Sequence, residues 1–112
     1  MNDLYNDILI SLEDLDKSVK SVRKTGADYA HAYRDACVEL REEILKLEAD
    51  GRPVTNLKYI ARGSERVANA EFEKICKEAI YKANLESINA IKLKIKVLEN
   101  QLEREWNNIQ SD

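Results

Sequence analysis

The sequence predicts an all-α fold: a long antiparallel helical hairpin, coiled-coil-like, that pairs into a helical bundle by oligomerisation. Three observations lead there. Backbone breakers are scarce, with three Gly and one Pro in 112 residues. Charged residues make up 35% of the chain and hydrophobic residues 44%, and the regular apolar order argues against the disorder that such polarity otherwise suggests. Apolar positions recur in steps of three and four along two long stretches, the period of a helix with one face against another helix.

The first helix is expected over about residues 3–49. One row of its apolar or small positions is Leu12, Val19, Gly26, Tyr33, Leu40 and Leu47, each seven apart; a second is Ile8, Leu15, Val22, Tyr29 and Ala36. Rows offset by three or four merge into one stripe on a helix. Asn2 or Asp3 can cap the start, and Asp50-Gly51 supplies the stop, with Pro53 two residues on. Gly26 pulls two ways. Lys17, Lys20, Arg23 and Lys24 before it and Asp28 after it are the charges of one helix ending and another beginning. Both rows nevertheless keep their phase through Gly26, and a lone mid-helix Gly costs only about 1 kcal/mol. A continuous helix that can kink at residue 26 is expected.

Residues 50–64 read as a connector. Thr55 is the expected cap of one helical turn that presents Leu57 and Ile60 as a plug, with Gly63 closing it and Ser64 capping the next helix. That second long helix is expected over about residues 65–109. Its seam starts with Ala68, Phe72, Ile75 and Ala79, slips in phase near Tyr81–Asn84, and continues through Ile88, Ile91, Ile95, Leu98, Leu102, Trp106 and Ile109. Antiparallel folding sets Trp106 and Ile109 near Leu4, Tyr5 and Ile8. The whole of 1–112 is expected to be a single helical domain. Ile10, Ile44, Cys76, Ile80, Ala83, Leu93 and Val97 widen the two stripes. A stripe wider than a two-row seam calls for more than one neighbour, so a homo-oligomer is expected, a dimer first.

Charge and composition narrow the function. Residues 1–51 hold 12 acidic and 7 basic side chains and residues 52–112 hold 9 and 11, within a net charge of −3. An acidic helix facing a basic one gains long-range attraction, and the balance does not favour a general nucleic-acid binder. No run approaches the ~20 apolar residues of a membrane span. Met1-Asn2-Asp3 is no start for a secretory signal, and Cys37 and Cys76 lie outside any CxxC spacing, which suits a reducing cytoplasm.

No constellation of catalytic or cofactor chemistry emerges. His31 is the only histidine, and no motif sets a nucleophile or carboxylate beside it. Cys37 and Cys76, at similar heights in a hairpin, are expected as buried small apolar residues. With His31 they make too few ligands for a zinc site. Neither enzyme activity, cofactor nor metal is expected. The connector stands apart: Arg52, Lys58, Arg62 and Arg66 gather around Tyr59 with Glu65 as the one acid between Gly51 and Ala70. Cations with an aromatic at a helical tip suit phosphate or an acidic protein surface. Arg52, Lys58, Tyr59, Arg62 and Arg66 are therefore the candidate partner-binding residues.

Gly51-Arg52-Pro53-Val54-Thr55, Ile60-Ala61-Arg62-Gly63, Val67-Ala68 and the ending Leu98-Glu99-Asn100-Gln101-Leu102-Glu103-Arg104-Glu105-Trp106 resemble segments of small, uncharacterised helical proteins of temperate phages and prophages of Gram-positive bacteria. The resemblance spans roughly residues 40–106. It implies a phage-encoded protein of the bacterial cytoplasm, from the early replication or recombination region, and it carries no functional residues across. The expected function is that of a non-enzymatic accessory protein that docks to a host or phage protein. The alternative is a nucleic-acid-associated factor for phage recombination or replication whose basic connector touches phosphate.

Overall fold

The computed structural model describes residues 2–111. They form three helices, α1 (Asn2–Ala49), α2 (Leu57–Arg62) and α3 (Glu65–Ser111), and no strand occurs among the described residues. No helix is long and apolar enough to cross a membrane.

The helix ends are explained by local chemistry. Gly51, at φ 80°, takes the left-handed conformation that closes α1. Its N–H donates to the Glu48 carbonyl at 3.0 Å, and the Arg52 N–H donates to the Leu47 carbonyl at 3.1 Å. This paired closure satisfies carbonyls that the helix end leaves open. α1 is unbroken across Gly26. Asn56, not the expected Thr55, takes the cap position before α2: it adopts φ 72° and makes no side-chain cap, a conformation that Asn tolerates better than the β-branched Thr. Ser64 caps α3 as its position suggested. Its Oγ accepts the Val67 N–H at 3.3 Å and donates to the Ala61 carbonyl at 2.8 Å.

The chain divides into two compact units. One is Thr25–Tyr81. Here α1 and α3 run antiparallel, as shown by Arg66 meeting Glu39 and Glu42, Lys74 lying over the Tyr33 ring, and Tyr81 standing against Tyr29. Ala32, Ala36 and Val67 are buried, and Leu47, Leu57 and Ala61 form a core onto which Leu40 and Ile44 pack. α2 therefore inserts Leu57 and Ala61, whereas Ile60 is exposed. The expected plug of Leu57 and Ile60 is corrected to Leu57 and Ala61, four residues apart on one side of α2.

The second unit joins the chain up to Lys24 with the chain from Lys82. Ile8, Ser11, Ile88 and Ile95 are buried, flanked by half-buried Leu4, Leu15, Val22, Ile91, Leu98 and Leu102. Asn84 Nδ2 donates to the Ser18 carbonyl at 3.0 Å, tying α3 to α1.

Burial corrects the expected stripes. On α1 the row Ile8, Leu15, Val22, Tyr29 and Ala36 faces inward, but its companion row is Leu4, Ser11, Ser18, Thr25 and Ala32. Leu12, Val19 and Tyr33 are exposed. Small residues on the inner row let two helices approach closely, so the larger Leu12 row is turned to the flank. Of that row, Leu40 and Leu47 are covered where α2 lies, and Gly26 is half-buried against the Tyr81 ring. On α3 the inner positions are Val67, Ala70, Lys74, Lys77, Tyr81, Asn84, Ile88, Ile91, Ile95, Leu98 and Leu102. These keep one phase, and no slip occurs near Tyr81–Asn84. Ala68, Phe72, Ile75 and Ala79 are exposed instead of forming the seam. Val67, fully buried, sets this rotation.

Candidate interaction surface

The connector residues singled out from sequence all lie in the unit Thr25–Tyr81, and they separate into two roles. α2 turns Leu57 and Ala61 inward, so Lys58, Tyr59 and Arg62 occupy its outer side, all exposed. Tyr59 is 85% exposed, far beyond the needs of packing. Positions three and four apart on a helix are neighbours, which sets Arg62 beside both Lys58 and Tyr59. Arg52 is exposed just beyond the end of α1. Lys58, Tyr59 and Arg62 form a cationic face carrying one phenol, and Arg52 adds a further exposed cation to the same connector.

Arg66 is different. Its guanidinium bridges the carboxylates of Glu39 and Glu42 on α1. The hydrogen bond and charge of Glu39 are the main causes that raise its pKa, with Glu42 adding to them. Arg66 therefore braces α3 against α1. Sequence reasoning missed Glu39 and Glu42; the signal was their height, level with Arg66 once the chain turns back at the connector.

Deeper in this unit, Tyr29 stacks at a tilt on Tyr81, with ring centroids 6.0 Å apart, and meets Tyr33 edge-on at 6.1 Å. Lys74 Nζ lies 4.8 Å from the Tyr33 ring centre and 3.2 Å from Glu71. Partial burial, then the Glu78 carboxylate, pushes the Tyr29 phenol above its ordinary pKa. The hydrogen bond to Glu71 is the main cause that raises Lys74. Both shifts favour the protonated forms that hold the inner face together, and neither group is poised for proton transfer near neutral pH.

The remaining chemical candidates stay apart. His31 and Cys37 are exposed, Cys76 is half-buried, and both thiols are free. The expectation of two buried cysteines is corrected: the two inner rows of α1 pass beside Cys37 and leave it outside. Among the described residues no group of three or more His, Cys, Asp or Glu is arranged to hold a metal ion.

In the other unit, Asn2, Tyr5, Glu99, Leu102, Glu103 and Trp106 line a shallow groove of about 570 Å³. Trp106 shares the groove with Tyr5, but it remains 51% exposed, and Ile109 is exposed too. The expected firm packing of Trp106 and Ile109 gives way to an open groove, since Leu102 and Leu98 already fill the inner row. No family model, curated protein or solved structure matches the chain.

Proposed function

We propose that the protein is a non-enzymatic helical interaction module that self-associates and docks to an acidic surface of a partner protein through its connector. The observation that carries this reading is the outer side of α2. A six-residue helix is anchored by Leu57 and Ala61 while Lys58, Tyr59 and Arg62 face solvent. A hairpin needs only a few residues to turn, so a packed helix carrying an exposed cation–phenol face exceeds the requirement of turning. Fixing these side chains on an anchored helix lowers the ordering cost of binding, and Tyr and Arg are among the residues most enriched where binding energy concentrates. The resemblance of residues 51–55, 60–63 and 98–106 to small phage and prophage proteins supports a phage-encoded accessory factor of the bacterial cytoplasm.

The test replaces Arg52, Lys58, Tyr59 and Arg62 together with Ala and leaves Arg66, Leu57 and Ala61 in place. Proteins captured from a bacterial lysate by the intact chain and cross-linked at residue 58 or 62 identify the partner. The quadruple variant is expected to keep its helicity and lose that partner at least tenfold. Retention of the partner at full strength contradicts the reading. Retention of DNA instead, falling steeply with added salt, establishes the nucleic-acid-associated alternative.

A further inference from the structure

α3 carries a second, mostly apolar row on the side away from α1, with Glu86 as its one charged member. Phe72, Cys76, Ala79, Ala83, Glu86, Ala90, Leu93 and Val97 succeed one another in strict steps of four and three. That is the spacing of a complete coiled-coil seam. It lies on the same unbroken helix as the inner row, nearly opposite to it. All but Cys76 are exposed, Phe72 at 66% and Leu93 at 64%, and Ile75 and Ile80 flank the row, also exposed. A helix needs one apolar face to pack on one neighbour; a second face at the same period needs a second helix.

We propose that this face is covered by the same face of a second copy, with the two α3 helices antiparallel about a two-fold axis between Asn84 and Leu85. This pairing specifies the self-association proposed for the molecule and rests on it. Two observations select a second copy in this register. The row is self-complementary when reversed. Phe72 comes level with Val97 of the second copy, Cys76 with Leu93, Ala79 with Ala90, and Ala83 with Glu86. Large side chains thus close the ends, and alanines at the centre allow near approach of the helices.

Charge also selects the direction. Reversal brings Glu73 near Lys94 of the second copy, and Glu86 near its Lys82. A parallel pairing instead sets Glu86 against Glu86 within the seam, and like charges so placed oppose association.

The flank of α1 that bears Tyr5, Leu12 and Val19 is a weaker rival, because Asp16 and Arg23 both interrupt its second line, against the single charge Glu86 in the α3 row.

Cysteine cross-linking of the full chain tests the register, with the oligomer mass measured beside it. Cys37→Ser removes the exposed thiol and leaves Cys76. Adding Leu93→Cys to that variant is expected to give a covalent dimer under mild oxidation, while Cys37→Ser alone stays uncross-linked. Both are expected to scatter light at twice 12.9 kDa. Leu93→Lys, at an exposed position that folding tolerates, is expected to halve the mass with helicity unchanged. A cross-link through Cys76 alone means parallel helices and overturns the proposal. A dimer that resists cross-linking in Leu93→Cys and withstands Leu93→Lys pairs through another face, which overturns the proposal but keeps self-association. A monomeric mass for Cys37→Ser and for the unaltered chain overturns both.

Discussion

Ser11 occupies the inner row of α1 with 1% of its surface exposed, and its Oγ has no hydrogen-bond partner. A buried hydroxyl without a partner costs on the order of 1–3 kcal/mol, so its presence is explained by size: a serine lets α1 approach α3. Ser11→Ala keeps the size and removes the hydroxyl. It is expected to raise unfolding stability by about 1 kcal/mol in urea titration; a clear loss would mean that the hydroxyl is bonded after all. Gly26 answers to a different constraint. A Cβ there would come to 3.2 Å from Cε1 of Tyr81, so the ~1 kcal/mol that Ala gains over Gly in a helix is opposed by displacement of the tyrosine ring. Gly26→Leu separates these effects, since Leu is a good helix former but much larger. It is expected to lower the melting temperature, and a rise in melting temperature would show that Tyr81 yields freely. Neither Ser11 nor the Tyr81 contact was legible from the sequence. A serine reads as a surface residue, and the ring facing Gly26 lies 55 positions away along the chain.

At the level of elements, the end of α1 and the start of α3 were legible, and the start of α2 and the rotation of the long helices were not. Gly51 and Ser64 act through their own backbone conformation or hydroxyl, within a few residues of chain, so local sequence states their role. Phe72 and Ile75 show the opposite case. Their spacing marks an apolar face, but spacing does not say which neighbour covers it. The structure turns Val67, Lys74 and Tyr81 to α1 and leaves Phe72 and Ile75 outside. The polar side chains inside are accommodated by pairing: Lys74 with Glu71 and Tyr33, and Lys77 with Glu73 at 3.6 Å. α2 is the element that depends most on a single residue. Leu57, 4% exposed, is its largest contact with Leu47. Leu57→Ala is expected to cost about 2–3 kcal/mol, read as loss of amide-exchange protection over residues 57–62 before the rest of the chain. Unchanged protection there would mean that Ala61 alone holds the helix.

For the whole molecule, the width of the apolar stripes in the sequence led to the expectation of self-association. The structure leaves a row of α3 exposed, with Phe72 and Leu93 in it, and the proposed pairing uses that row. The candidate site was legible in part. Arg52, Lys58, Tyr59 and Arg62 were visible as a basic cluster, because connectors seldom concentrate cations around an aromatic. The engagement of Arg66 was not, because Glu39 and Glu42 lie on the other long helix and reach it only in three dimensions. Self-association through unpartnered apolar surface is the central claim, and the mass of the intact chain in solution tests it most directly. Light scattering after gel filtration at micromolar concentration is expected to give twice the chain mass of 12.9 kDa; a stable, fully helical species of one chain mass would contradict it.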